Sequence, residues 1–158
     1  MTGIDADKAV LHEFLGYQRA SVLAIIDGLS EEGLRSAALP SGWTPLGLVE
    51  HLGHAERHWF QTVLTGAAVP MPWPEGDCPP LTTPRPTTVV ISFYREQCAL
   101  ADELITRTSL DSVPAGRHEP ATDLRWIILH MIEETARHAG HLDAARELID
   151  GRTGLGPR

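Results

Sequence analysis

Four long stretches of the chain carry apolar residues at the spacing of a helix, and no stretch shows the alternation that is typical of a strand. The periodicity predicts four helices joined by long connections, over about 5–27, 45–65, 87–106 and 123–150. A short helical turn over 31–35 lies between the first two. Together these patterns predict one all-α domain over residues 1–158, most simply a four-helix bundle.

Capping residues mark the boundaries of two of these helices. Thr44 followed by Pro45 is a typical N-cap and first helical residue, and Thr122 takes the N-cap position of the last helix. Gly66 and Gly151 follow the second and the last helix, as C-terminal glycines commonly do. Local signals and periodicity therefore predict the same boundaries.

The connection over 66–86 contains seven prolines in 21 residues, which excludes both a helix and an internal strand. A loop of this length in a compact domain usually carries function or covers a site. All three connections between the long helices run to about 14 residues or more, so at least one is predicted to cross the bundle.

Composition restricts the class of function. The 158 residues carry a net charge of −8 and no basic run, which argues against nucleic-acid binding. No apolar stretch approaches the roughly 20 residues of a membrane span, and the first residues lack a signal-peptide pattern. Cys98 is predicted to fill the core, whereas Cys78, on the Pro-rich loop, has nothing nearby that would lower its pKa. We therefore expect a cytoplasmic protein without a disulfide framework.

The last helix places a carboxylate and an imidazole among its apolar residues. At 100° per residue, His138 lies about 40° from Glu134, on the arc that also holds Ile127, Met131 and Leu142. Both polar side chains are therefore predicted to face the interior, one helical turn apart, where they can reach the same ion.

A buried and ionised glutamate costs several kcal/mol unless something compensates its charge. The compensation is a metal ion, a hydrogen-bonded histidine or arginine, or protonation. A plain hydrogen bond between Glu134 and His138 stays open on spacing alone, because a histidine near an apolar face is most often a satisfied core residue.

The second helix offers a third ligand. His51 lies on the flank of its apolar arc, and helices that bury adjacent arcs would bring this imidazole opposite Glu134 and His138. A His/Glu/His set leaves coordination positions open, as catalytic zinc sites do, and helical bundles commonly build metal sites from inward Glu and His side chains.

Other polar residues of these helices receive simpler interpretations. His54 is predicted to lie toward solvent, and His58 and His130 are predicted to be ordinary histidines on solvated flanks. Glu56, inside the apolar arc of the second helix, is predicted to pair with an arginine or to accept a hydrogen bond from a ligand histidine.

Two segments resemble the DinB/YfiT-like superfamily. LVEHLGHAERHWF over 48–60 is similar to its second-helix motif. EETARHAGHLD over 133–143, continuing through RELIDG over 146–151, is similar to the motif of its last helix. With the spacing of the helices, the similarity covers nearly the whole chain.

The resemblance implies an up-down-down-up four-helix bundle, often dimeric, that holds a divalent metal. One ligand comes from the second helix and two, four residues apart, from the last; carried over by position, they are His51, Glu134 and His138. Many members have histidine where this chain has Glu134, and the glutamate version resembles the mycothiol-dependent maleylpyruvate isomerase branch, where a His/Glu/His set binds zinc. Zinc or nickel is the expected ion, and His141 or His54 could replace or supplement a ligand.

The resemblance also implies a metal-dependent thiol transferase or isomerase that uses mycothiol, bacillithiol or glutathione on a small-molecule substrate. The Pro-rich loop would then wall the entrance to the site. Three arginines are candidates for a positive pocket that recognises a thiol co-substrate: Arg57, Arg85 and Arg137. Two alternatives remain, which are a non-catalytic metal- or small-ligand-binding protein of the stress-response kind and a metal-free helical bundle that acts through its surface.

Overall fold

The computed structural model describes residues 3–70, 81–116 and 120–154, with the side chains of 3–5 left aside. Within these ranges every regular element is helical, which confirms the all-α prediction. The helices are α1 (Gly3–Ile26), α2 (Glu31–Leu34), α3 (Pro45–Glu56), α4 (Thr87–Arg107) and α5 (Leu124–Asp150). Helix α3 continues directly into a π-helical segment, Arg57–Leu64, so these two elements fill the predicted second helix.

The helix starts follow the predicted caps with one difference. The Thr44 hydroxyl accepts a hydrogen bond from the Gly47 N–H at 3.1 Å, and Pro45 opens α3 as expected. The cap of α5, however, is Asp123 rather than Thr122: the Asp123 Oδ1 accepts from the Trp126 N–H at 2.8 Å. Threonine and aspartate are both good N-cap residues, so the sequence alone does not distinguish an N-cap at Thr122 from one at Asp123.

The long helices pack in two pairs, α1 mainly against α5 and α3 mainly against α4. Arg146 of α5 donates from Nη1 to the carbonyl oxygens of Ile25, at 2.6 Å, and of Asp27, at 2.8 Å. Near the other end, Arg125 of α5 approaches the Asp7 carboxylate of α1. The first and the last helix of the chain are therefore neighbours along their length.

A close backbone contact fixes the beginning of α3. A Cβ added to Gly47 would lie 2.0 Å from the carbonyl oxygen of Leu81, so only glycine fits there. The same carbonyl accepts from the Thr44 N–H at 3.0 Å. The described end of the Pro-rich connection is thereby attached to the helix that carries His51.

Several residues of the apolar patterns lie outside the core. Val10 and Phe14 on α1 are 52% and 51% exposed, and Leu100 on α4 is 36% exposed. These residues share the helical spacing of the buried apolar ones, but periodicity identifies an apolar arc and not how much of it a neighbouring helix covers.

A buried ion-pair network joins three helices. The Arg19 guanidinium donates two hydrogen bonds of 2.7 Å to the Glu56 carboxylate and one of 2.6 Å to Asp102 Oδ1, which also contacts His12 Nε2 at 2.7 Å. Burial acts to lower the pKa of Arg19, but the Glu56 carboxylate outweighs this effect and raises that pKa above its usual value. The predicted arginine partner of Glu56 is therefore Arg19.

Among the described residues, no helix combines the length and the apolar character that crossing a bilayer requires.

Candidate metal centre

Three side chains from two helices converge at one point. The His51 Nε2 lies 3.3 Å from Glu134 Oε1, and the His138 Nε2 lies 3.0 Å from the same oxygen. The rings of the two histidines meet edge to face, with centroids 5.1 Å apart. One donor atom from each of the three residues lies within 4.8 Å of the others, so a single ion could contact all three. The structure thus brings together the three predicted residues.

The site lies at the margin of the protein interior rather than within it. The side chains of His51, Glu134 and His138 are 24%, 25% and 14% exposed. The prediction that Glu134 and His138 face the core is therefore only partly right. Their helical arc is the apolar one, but at this level α3 and α5 leave the arc open to solvent.

Glu134 is held as a carboxylate. Hydrogen bonds from His138 and then from His51, together outweighing the effect of burial, hold its pKa well below the usual range. Its negative charge therefore persists through the neutral pH range, as a metal-ligating carboxylate requires.

His141 stands beside the three residues rather than among them. Its Nδ1 lies 3.4 Å from the Nδ1 of His138, the ring nitrogen that does not face Glu134. Burial and the neighbouring His138 lower the pKa of His141. In metal sites, a hydrogen-bond partner at the ring nitrogen that does not bind the ion sets the tautomer and the orientation of the ligand histidine. His141 lies at the corresponding nitrogen of His138, its Nδ1.

His54 is buried, which contradicts its predicted place near solvent. Only 6% of the residue is exposed, its Nδ1 accepts from Arg57 Nη2 at 3.1 Å, and its ring centroid lies 4.7 Å from that of Phe93. Gly53 makes this packing possible, because a Cβ there would lie 2.7 Å from Phe93 Cε1. His54 lies outside the apolar arc of α3, but α4 covers that face as well, so the residue is buried.

The buried position of His54 predicts a measurable pH dependence of stability. Burial first, and the nearby Arg57 second, lower the pKa of His54 from 6.5 to about 4. Between these values the unfolded chain takes up a proton that the folded protein does not, so stability falls as the pH falls. We expect this histidine to lower the free energy of unfolding by about 1 kcal/mol per pH unit there.

The measurement is urea denaturation of wild type and His54→Gln at several pH values between 7 and 4.5. Other groups titrate in both proteins, so the difference between the two curves isolates His54. Curves that stay parallel across the range would contradict the prediction.

Two further histidines belong to an aromatic cluster that sequence reasoning missed. The Trp126 and His130 rings stack with centroids 5.1 Å apart, and Trp59 contacts both, at 5.4 and 4.5 Å. His58 contacts Trp59 at 5.4 Å. His58 and His130 are half-buried here instead of standing on solvated flanks. Once His51 is placed opposite Glu134, an antiparallel register brings Trp59 opposite Trp126, about one turn from His130, and that spacing was the available signal.

The two cysteines differ in what the structure describes. Burial raises the pKa of Cys98 to about 12, so this half-buried thiol is not a nucleophile at neutral pH, in agreement with the prediction of a core filler. Cys78 and the middle of the Pro-rich connection lie outside the described residues, and so does any wall that the loop forms around the site.

The protein is therefore a helical protein with a candidate His/Glu/His metal centre. A family model described as "MST: Mycothiol-S-transferase" matches residues 10–151. The chain therefore belongs to the mycothiol S-transferase family, and this confirms the resemblance to the DinB/YfiT-like superfamily. Comparisons with curated proteins and with solved structures gave no match.

Proposed function

We propose that this protein is a metal-dependent thiol S-transferase that uses mycothiol on a small electrophilic substrate. The observation that carries the proposal is the convergence of His51, Glu134 and His138, with donor atoms within 4.8 Å of one another, in a member of this family. Two imidazoles and one carboxylate suit zinc, and imidazole also suits nickel.

The donor set fits a divalent ion. Both histidines present Nε2 toward one carboxylate oxygen of Glu134, which is the side of each ring that a ligand would use. His51 and His138 would hold the ion as neutral imidazoles, Glu134 would supply a negative charge, and His141 would orient His138. When bound, the ion supplies Lewis acidity, which lowers the pKa of a coordinated thiol and favours the nucleophilic thiolate at neutral pH.

The rest of the reaction takes place on the two substrates and uses no further side chain of the protein. Transfer forms a bond between the thiol sulfur and an electrophilic carbon as the bond between that carbon and its leaving group breaks, and the leaving group and the thiol proton pass to solvent. We assign no separate general base. The partial exposure of the three side chains leaves room for both the thiol and the electrophile to approach.

The up-down-down-up course of a four-helix bundle is part of the proposal. In the direction of the chain, Asp7 precedes Ile25 on α1 as their partners Arg125 and Arg146 do on α5. The contacts between α3 and α5 occur in the opposite order along the two helices, so these two helices are antiparallel.

We also propose a single domain, a cytoplasmic location and a homodimer. The exposed apolar residues of α1 offer a surface for the dimer, which light scattering would test.

The alternative is a non-catalytic metal- or small-ligand-binding protein. It would use the same three ligands, and it differs from the enzyme only in turnover. The test therefore measures consumption of mycothiol in the presence of an electrophile such as monochlorobimane, with metal-depleted and zinc- or nickel-reconstituted protein.

We expect turnover only in the reconstituted protein, and a loss of about 1,000-fold or more in His138→Ala, because a missing ligand removes the ion that activates the thiol. Arg107→Gln, at the exposed end of α4, serves as the matched control and should react like wild type. Metal bound without thiol consumption would favour the alternative, and equal rates with and without metal would reject the proposal.

A further inference from the structure

Two arginines contact the same aromatic ring, that of Phe93 on α4, where α4 packs against α3. The Cζ atoms of Arg57 and Arg85 lie 5.6 Å and 5.4 Å from the centroid of the Phe93 ring, both within the range of a cation–π contact. The arginines come from different elements, the first residue of the π-helical segment and the loop before α4. Two like charges are therefore held close together at a defined place.

Carboxylates of the protein balance only part of this charge. Arg85 Nη1 donates to Glu50 Oε1 at 2.7 Å, whereas Arg57 Nη2 donates to neutral acceptors, the His54 ring and the Pro70 carbonyl. Within the described residues, Arg57 Nε is buried and has no hydrogen-bond partner. Burial, and then repulsion from Arg85, lower the pKa of Arg57. Among the described residues only Glu50 accepts from the Arg85 guanidinium, and 41% of the Arg85 side chain is exposed, so donors of Arg85 remain available for an anion.

A groove of about 370 Å³ opens beside Arg85 and the Phe93 ring, and Arg57 contacts the same ring without lining the groove. Arg85 and the Phe93 ring form one part of its wall, hydroxyls of Thr88 and Ser92 lie along α4, and Val89 adds an apolar surface. Glu96 also lines the groove, but no ion pair links it to either arginine in the described structure. The groove thus combines a cationic end with apolar and hydroxyl walls, which suits a small organic acid.

We propose that Arg85, assisted by the positive charge of Arg57 over the same ring, binds the carboxylate of a small organic acid, and that this acid is the electrophilic substrate of the thiol transfer. The carboxylate site depends only on the arginine geometry, whereas its role as a substrate subsite rests on the proposed function. Arg85 donates to Glu50, the residue that directly precedes His51 on α3. An acid bound at Arg85 therefore has its carboxylate near the helix that carries a candidate ligand rather than in the metal centre itself.

The binding test compares phenylacetate with phenylacetamide, which has the same shape but no charge. Calorimetric titration should give an affinity about tenfold higher for the acid, since hydrogen bonds to a charged group contribute most of the difference. Added salt should weaken binding of the acid and leave that of the amide unchanged. Arg85→Gln and Arg57→Gln should each remove the preference, and Arg107→Gln should keep it.

A carboxylate can also bind a metal ion, so the same titration is carried out on Glu134→Gln. The preference should persist in this variant, because the arginine pair is intact. Equal affinity for acid and amide in wild type would overturn the proposal. So would a preference that Glu134→Gln abolishes and Arg85→Gln leaves in place. Circular dichroism verifies folding, and if Arg57→Gln does not fold, Arg85→Gln decides, since 41% of the Arg85 side chain is exposed.

The substrate role has its own readout. With mycothiol and reconstituted protein, 4-(bromomethyl)benzoate and 4-(bromomethyl)benzamide undergo the same displacement, in which sulfur bonds to carbon, bromide leaves and the thiol proton goes to water. The ratio of kcat/KM for the acid over the amide should fall about tenfold in Arg85→Gln. An unchanged ratio would overturn the substrate role. A carboxylate preference in binding without any thiol consumption would instead reject the proposed function and keep the site.

Discussion

Replacing Arg19 by methionine should lower the free energy of unfolding by about 3–5 kcal/mol, because the substitution leaves the Glu56 carboxylate buried without its partner. Only 1% of the Glu56 side chain is exposed, so water cannot take the place of the guanidinium. At about 2–4 °C per kcal/mol, the melting temperature should fall by roughly 10 °C. Urea denaturation and differential scanning calorimetry measure both quantities.

Two further variants show whether the uncompensated charge is the cause. Arg19→Met/Glu56→Leu should recover most of the loss, since an apolar pair of similar volume needs no compensation. The single variant should also regain stability as the pH falls from 7 to 5, because folded Glu56 then binds a proton more readily than the unfolded chain. Arg125→Met, which breaks the more exposed contact with Asp7, should change stability by less than about 1 kcal/mol. A similar loss in both arginine variants would contradict this account.

Zinc should stabilise wild type and should not stabilise variants of the candidate ligands. A ligand that binds only the folded protein adds about 2.7 kcal/mol at 100 times its dissociation constant, which corresponds to roughly 5–10 °C in melting temperature. Glu134→Gln keeps the size of the side chain but removes its charge, and it should lose most of this shift. His51→Ala and His138→Ala should lose it as well.

The control for this experiment is His141→Ala. Its ring lies beside His138, so the zinc-induced shift should decrease but persist. Elemental analysis should show about one equivalent of zinc or nickel in wild type and none in Glu134→Ala or His138→Ala. If His138→Ala instead lowers the melting temperature equally with and without zinc, the Glu134–His138 pair is a plain hydrogen bond and the metal proposal fails.

Much of the fold follows from local signals in the chain. Thr44, Pro45 and Gly151 predict helix boundaries because capping depends on neighbouring backbone groups alone. The π-helical segment over Arg57–Leu64 could not be predicted, since its pattern of side chains resembles that of an α-helix and its hydrogen bonds shift by only one residue. Periodicity also could not show that Val10 and Phe14 remain uncovered, because their exposure depends on tertiary packing.

The candidate site, too, could be predicted from the sequence only in part. Glu134 and His138 could be paired from spacing within one helix, and His51 could be placed opposite them from its position on the flank of the second apolar arc, in agreement with the family motif. The burial of His54 could not be predicted, since it depends on α4, and Gly53 makes sense only once Phe93 lies against it. The arginine pair over Phe93 likewise joins residues from separate elements, and no sequence spacing links Arg57 with Arg85.

The pairing of the helices also orders their assembly in time. Contacts between α3 and α4 join residues about 40 positions apart, as between His54 and Phe93, whereas Arg146 of α5 reaches Ile25 of α1 across 121 positions. During synthesis, which proceeds from the N-terminus, the contacts of α3 with α4 and of Arg19 on α1 with both can form while α5 is still unmade, whereas α1 meets its main partner only with the last helix. His51 is therefore synthesised early, but the three candidate ligands come together only once the last helix has formed. A ribosome-bound chain that stops before Glu134 holds one imidazole of the three ligands and no carboxylate to complete them.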